Sequence, residues 1–331
     1  MERKYREMFG EVHASDRLKQ EVLNMTKQKR SQRRHIPLAA LIAAVLVVVL
    51  AGTALAMTNA GIRDWFAQHW REETGHVINV DQLGMIDQLT QEIGAGDTCN
   101  GVTVTVDSVT RGESILWMLL EIDGLEITPE EASGSFFADM GMSITPQPES
   151  MESFGYDFEE AGFRENGALM VLLRYLPLLT EEDTLLDACN VELRLGSFTL
   201  GERTVVEGTW NISFSLEKAD LPESLTLENR IRVPALPLDT PEERPEVEFR
   251  DVRITPTELH LVWADPEMQE KVMAPGYWSL LMKDGAEISH CGGVGYDLPD
   301  GRAVKVYYWK VPIDLTQVEA LKFGELVFPL H

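Results

Sequence analysis

The sequence predicts a mainly β protein, in which N-terminal helices and one transmembrane helix precede two antiparallel β-sandwich domains. Three observations predict this. A 20-residue apolar run, Leu38 to Met57, lies near the N-terminus. Charge is divided across that run. Beyond about residue 97, short segments alternate apolar and polar residues at period two, with turn residues between them and no long helical pattern.

The apolar run is the first element to justify. No Asp, Glu, Lys or Arg occurs between Arg34 and Arg63, and only Gly52 and Thr53 interrupt the apolar character of Leu38–Met57. Twenty helical residues rise about 30 Å, which matches the hydrocarbon core of a bilayer. Pro37 stands where a first helical turn tolerates proline. Lys27, Lys29, Arg30, Arg33 and Arg34 precede the run, with no acidic residue from 22 to 35. The positive-inside rule therefore places residues 1–35 in the cytoplasm, a cell-membrane span at 36–57, and the remainder outside. The rival reading is a signal peptide cleaved after Ala56, in the sequence Ala54-Leu55-Ala56. A preceding region of about 37 residues is long for that role.

Composition narrows the function. The chain has 331 residues and a net charge of -25. Residues 1–35 hold ten Lys/Arg against five Asp/Glu, net +5; the other 296 residues hold 19 basic and 49 acidic side chains, net -30. So acidic a surface repels phosphate and argues against direct nucleic-acid binding. Cys99, Cys189 and Cys291 are far apart and form no metal-ligand spacing. With three cysteines, one internal disulfide at most is possible; small buried apolar residues are the expected role.

The tail (1–35) carries two short amphipathic helical patterns. Tyr5, Met8, Phe9 and Val12 share one face, and Leu18, Val22 and Met25 another, with Ser15 and Asp16 as caps between them. Helices this short cannot bury a core alone. The tail lies on the inner leaflet through its basic residues, or it folds into a groove on a cytoplasmic partner. In the second case Tyr5, Phe9, Val12, Leu18 and Val22 are the anchors.

After the span, residues 58–96 read as a juxtamembrane helical segment. Ile62, Trp65, Phe66, His69 and Trp70 have helical spacing. Trp65, Phe66 and Trp70 suit a membrane interface, and equally a core contact with the first outer domain. Leu83, Ile86, Leu89 and Ile93 predict a second helix, ended by Gly94 and Gly96.

The first β-domain is expected over 97–219. Val102, Val104 and Val106 alternate with Thr and Asp, and Arg111-Gly-Glu-Ser114 turns into the strand Ile115–Ile122. Residues 168–176, 191–200 and 209–216 are further strands, while 125–165 reads as irregular. The second, 220–331, follows a segment with Pro234, Pro237, Pro241 and Pro245. Its expected strands are 247–254, 259–263, 277–282, 303–311 and 321–328. Both domains are Ig-like in architecture only, since the Cys…Trp…Cys pattern is absent.

No catalytic motif emerges, so no enzyme activity, cofactor or metal is predicted. His69-x-x-Glu72-Glu73-x-x-His76 has ligand residue types but not the H-E-x-x-H spacing, and reads as a solvated polar face. His290-Cys-Gly-Gly-Val-Gly295 lacks the strand-to-helix context of a nucleotide loop and reads as a flexible hairpin loop. The acidic pairs contain no calcium loop.

Several stretches resemble one family. They are Tyr5-Arg-Glu-Met-Phe9 with His13-Ala-Ser-Asp-Arg-Leu18, Asn100-Gly-Val-Thr-Val-Thr-Val-Asp-Ser-Val109 with the Trp117 strand, and Gly208-Thr-Trp-Asn-Ile-Ser-Phe-Ser-Leu216. Ile254-Thr-Pro-Thr-Glu-Leu259 and Phe323-Gly-Glu-Leu-Val-Phe-Pro-Leu330 complete the set. Their order resembles that of bacterial single-pass membrane proteins with a short anti-sigma-factor-like tail and an Ig-like ectodomain, often encoded beside extracytoplasmic-function sigma factors. The resemblance implies that the tail sequesters a sigma factor while the ectodomain senses or anchors. The His-x3-Cys-x2-Cys zinc pattern of some anti-sigma domains is absent, because no cysteine precedes Cys99. The alternative is a structural or ligand-binding envelope module on a passive anchor.

Overall fold

The computed structural model describes residues 60–331, apart from 129–130, 132–135, 150, 180–183, 228–229, 235, 238–245, 268–271, 274–277, 299 and 331. The predicted tail and span, and Pro241 and Pro245, lie outside the described residues. Among those residues no helix is long and apolar enough to cross a membrane.

Two helices open the described chain, α1 (Ala60–Thr74) and α2 (Val80–Leu89). Helix α1 ends because Gly75 takes a left-handed φ of 71° and its N–H donates to the Arg71 carbonyl at 2.8 Å. Asn79 caps α2 by accepting from Gln82 N–H at 2.8 Å. Gln82 is fully buried. It donates to the Pro312 carbonyl and accepts from Asp314 N–H at 2.8 Å, which ties α2 to a distant loop. Gln82→Ala removes one buried donor and one acceptor, so a loss of about 1–3 kcal/mol is expected from the urea unfolding midpoint.

Helix α2 stops earlier than its apolar spacing predicts. Strand β1 (Thr90–Cys99) begins at once, pairing antiparallel with β2 (Val102–Arg111) from Thr90↔Thr110. Ile93 is therefore a strand residue. Gly94 sits at a bulge between Glu92 and Ala95 rather than at a helix end.

The first β-body continues with β3 (Leu116–Asp123), β4 (Met140–Thr145), β5 (Met151–Phe163), β6 (Leu169–Leu179) and β7 (Cys189–Leu195). It closes with β8 (Phe198–Leu200), β9 (Arg203–Val206) and β10 (Trp210–Leu216). A five-stranded antiparallel sheet runs β1-β2-β3-β6-β5, and a three-stranded sheet runs β10-β7-β4. The predicted 102–122 hairpin is present as β2 and β3. Val102, Val104, Val106, Leu116, Met118 and Leu120 meet Ile144, Val191, Leu193 and Trp210 in one core between the sheets. The stretch expected to be irregular instead holds β4 and the 13-residue β5. Strand β5 does alternate at period two, with Phe154, Tyr156 and Phe158 on one side and Asp157 and Glu159 on the other. Gly155 and Gly162 obscure that pattern.

The second β-body contains β11 (Leu225–Leu227), β12 (Ile231–Pro234), β13 (Leu236–Pro237), β14 (Glu246–Ile254), β15 (Glu258–Trp263) and β16 (Val272–Met273). It ends with β17 (Trp278–Met282), β18 (Glu287–Asp297), β19 (Ala303–Trp309), β20 (Val318–Phe323) and β21 (Leu326–Pro329). One nine-stranded antiparallel sheet runs β11-β14-β15-β19-β18-β17-β20-β21, with β12 also on β14. The segment 290–295 is the middle of β18, not a loop. A Cβ on Gly293 would stand 2.5 Å from the Val306 carbonyl, so glycine is what lets this strand approach β19.

Strand β3 is apolar on both faces for a reason the topology supplies. Leu116, Met118 and Leu120 face the core between the sheets, whereas Trp117 and Leu119 face outward into a second core. That second core also takes Trp65, Phe66 and Trp70 from α1, Met170 and Leu172 from β6, and Phe249, Trp263, Trp278 and Trp309 from the second body. The two β-bodies and α1 thus share one apolar interior. Its aromatic rings contact one another, with Phe249 4.9 Å from Trp263 and Trp278 4.8 Å from Phe323 between centroids.

Candidate functional site

The outer face of the five-stranded sheet carries the first part of the site. Ladder register places Trp117 beside Arg174, Arg174 beside Asp157, and Leu119 beside Leu172 beside Glu159. Helix α1 lies over this face. Phe66 meets Trp117 edge to face at 5.9 Å, and Trp65, Phe66 and Trp70 are all buried. Of the two placements weighed for these aromatics, protein contact is the one seen; their rings are taken up by the core, not offered to a membrane interface.

A line of charges borders that apolar contact. His69 stacks on Trp65, and its Nε2 stands 3.0 Å from Glu159 Oε1. Its Nδ1 stands 3.0 Å from the Trp65 carbonyl. Both partners are acceptors, so the imidazolium satisfies both at once. Arg174 binds Asp157 at 2.7 Å and Glu159 at 3.4 Å, and Glu73 pairs with Lys310, just past the end of β19. The predicted solvated face of α1 is thereby bound to both β-bodies through His69 and Glu73.

Burial works to lower the His69 pKa, but the Glu159 hydrogen bond, the Trp65 carbonyl and the nearby carboxylates outweigh it, and the net shift is upward from 6.5. Glu159 shifts the other way, held down chiefly by the His69 hydrogen bond. The signs fix a pH window. A raised histidine adds stability that is complete below its unfolded value and lost as pH rises through the folded one. The lowered Glu159 adds stability that is lost as pH falls through its folded value. Wild type should therefore exceed His69→Gln in stability most at about pH 5.5, by about 0.5–1 kcal/mol after allowance for solvent screening. The difference should shrink toward zero by about pH 8.5, which paired thermal melts at the two pH values check.

The second part lies where the β2–β3 turn meets β14 and β15. Gly112 comes so close that a Cβ there would stand 2.6 Å from Thr257 Oγ1. The Glu113 carboxylate takes two hydrogen bonds from Arg253, both 2.7 Å. Glu258 is fully buried; Ser114 N–H donates to its Oε1 at 2.7 Å. His260 Nε2 stands 2.9 Å from Glu258 Oε2 and 3.5 Å from Glu113 Oε2. Burial works to lower the Arg253 pKa, yet the Glu113 bond and charge raise it overall. Burial, aided by the Glu258 charge, pushes the neighbouring Tyr296 phenol up to about 12.

Sequence reading missed Glu113, Arg253, Glu258 and His260. A signal was present: Glu258 and His260 alternate with Leu259 and Leu261, so one face of an otherwise apolar strand bears two ionisable groups. Among the described residues, Glu113, Glu258 and His260 also form the group whose ligand atoms could converge on a metal ion. His69 and His76 form no such group. Cys99, Cys189 and Cys291 are free thiols of intermediate exposure, less buried than expected. Burial pushes the thiols of Cys189 and Cys291 up, away from the reactive thiolate. The tail anchors Tyr5, Phe9, Val12, Leu18 and Val22 lie outside the described residues.

No family model and no curated protein matches the chain. Among solved structures it is similar to "The crystal structure of the conserved domain protein from Bacillus anthracis", at 11% identity and a TM-score of 0.45, over 71% of this chain and 77% of that one.

Proposed function

We propose that the protein is a single-pass membrane regulator of the anti-sigma-factor-like kind. Residues 36–57 span the cell membrane, the tail 1–35 binds a cytoplasmic transcription factor, and two Ig-like sandwich domains sense or anchor outside. One observation supports the reading: α1, which begins three positions after the apolar run in sequence, is fixed to both β-bodies by Trp65, Phe66, Trp70, His69 and Glu73. A helix seated on both β-bodies ties their arrangement to the part of the chain nearest the proposed span. A passive anchor needs no such tie.

The tail decides between regulator and anchor. A peptide of residues 1–35 should retain a sigma factor from cell lysate, and the Phe9→Asp, Val22→Asp peptide should lose it, because a charge at a buried apolar anchor costs several kcal/mol. Equal capture by both peptides, or binding to anionic vesicles alone, would contradict the regulator and favour the passive envelope module.

A further inference from the structure

We propose that Glu113, Glu258 and His260 form a binding site for a divalent cation of the zinc class, placed in the seam between the two β-bodies. The ligand set is one imidazole and two carboxylates, which suits zinc and its neighbours better than the all-oxygen shells of calcium or magnesium. One ligand atom from each residue lies within 4.8 Å of the others. His260 Nε2 is 2.9 Å from one carboxylate oxygen and 3.5 Å from the other. Ligand atoms around a tetrahedral zinc stand about 3.3 Å apart, so the ion needs little movement of these side chains.

The outer contacts are those that orient metal ligands. Ser114 N–H holds Oε1 of Glu258 and leaves Oε2 toward His260. Arg253 holds Glu113 through its two terminal guanidinium nitrogens, and Oε2 of Glu113 keeps a lone pair free. Charge points the same way. Two carboxylates, Glu258 fully buried and Glu113 partly so, face one guanidinium, which leaves a net negative charge that attracts a cation.

An independent feature marks a ligand position. Tyr308 lies directly opposite Glu258 in the β15–β19 ladder. It is 1% exposed, and its hydroxyl lies near that of Ser114. Apart from their mutual interaction, neither of these buried hydroxyls has a hydrogen-bond partner among the described residues. Buried hydroxyls are rarely left this way. A bound cation with its water gives both an acceptor or ligand role, and supplies the fourth position of the shell. Glu113 belongs to the first β-body and the other ligands to the second, so the ion would clamp one body to the other.

The test is zinc titration of the untagged, metal-stripped full-length chain in detergent, followed by calorimetry. One saturable equivalent is expected, weakened at least tenfold in His260→Gln and in Glu258→Gln, and unchanged in His69→Gln. Near-ultraviolet circular dichroism checks that each variant is folded. If both seam variants unfold, zinc X-ray absorption of the wild-type chain decides, because it separates nitrogen and oxygen ligands from sulfur. Absence of a saturable equivalent, undiminished binding in folded His260→Gln, or sulfur ligation by the cysteines overturns the proposal.

Discussion

Trp117→Ala is expected to destabilise the β-rich region by about 3–5 kcal/mol. Trp117 is fully buried, and it is the place where the first body, α1 and the second body meet. Its removal strips Phe66 of its edge-to-face partner and opens a void that close-packed neighbours fill only in part. The conservative Trp117→Phe keeps an aromatic ring at the contact and should lose less than half as much. The adjacent Met118 faces the other core and supplies a comparison: Met118→Ala should cost about 2–5 kcal/mol but leave α1 seated. Urea unfolding gives the energies, and protease cleavage within 60–74 reports whether α1 has come away.

Glu258→Ala is the second large effect, about 3–5 kcal/mol. The carboxylate is fully buried and serves Ser114 N–H and His260 together. Without it a buried N–H loses its acceptor, and His260 keeps only the more distant Glu113. Glu258→Gln retains a carbonyl oxygen for Ser114 N–H, so it should recover part of the loss. If the alanine variant unfolds at the wild-type urea concentration, the seam adds nothing to the joining of the two bodies.

The sequence made the β-rich class and most strands legible because their alternation is local. Val102 to Val106 and Val247 to Ile254 bury every second residue over part of their length, Ala303 to Trp309 is buried almost throughout, and each is a strand. Strands β5 and β18 were lost because glycine dominates the local signal. Only the partner strand shows why glycine is there, as Gly293 against Val306 does. The double-faced burial of β3 was visible as a run of apolar residues, but not which body would cover each face. The same limit hid the site. His69 meets Glu159 ninety positions away, and Glu113 meets Arg253 at a separation of 140. Pairs like these are set by sheet register and by the docking of one body on another, neither of which is encoded within a single segment.

The aromatics of α1 show how tertiary context selects between two readings of one pattern. By sequence alone, Trp65, Phe66 and Trp70 close to an apolar run fit an interfacial belt. They equally fit the apolar stripe of a helix on a sheet, and the outer face of β3 and β6, with Trp117, Leu119 and Leu172, gives them an apolar surface to cover. Burial of each ring contributes about 1.5–3 kcal/mol, which favours the seated helix over one lying free.

Whether α1 belongs to the outer core is the claim on which the proposed coupling rests. Hydrogen exchange of the full-length chain in lipid nanodiscs tests it directly. Amides of residues 64–72 should exchange as slowly as those of β3, and should speed up together with β3 when Trp117 is replaced by alanine. Fast exchange in α1 beside a protected β3 would mean that the helix moves freely of the β-bodies, and the proposed coupling would be contradicted.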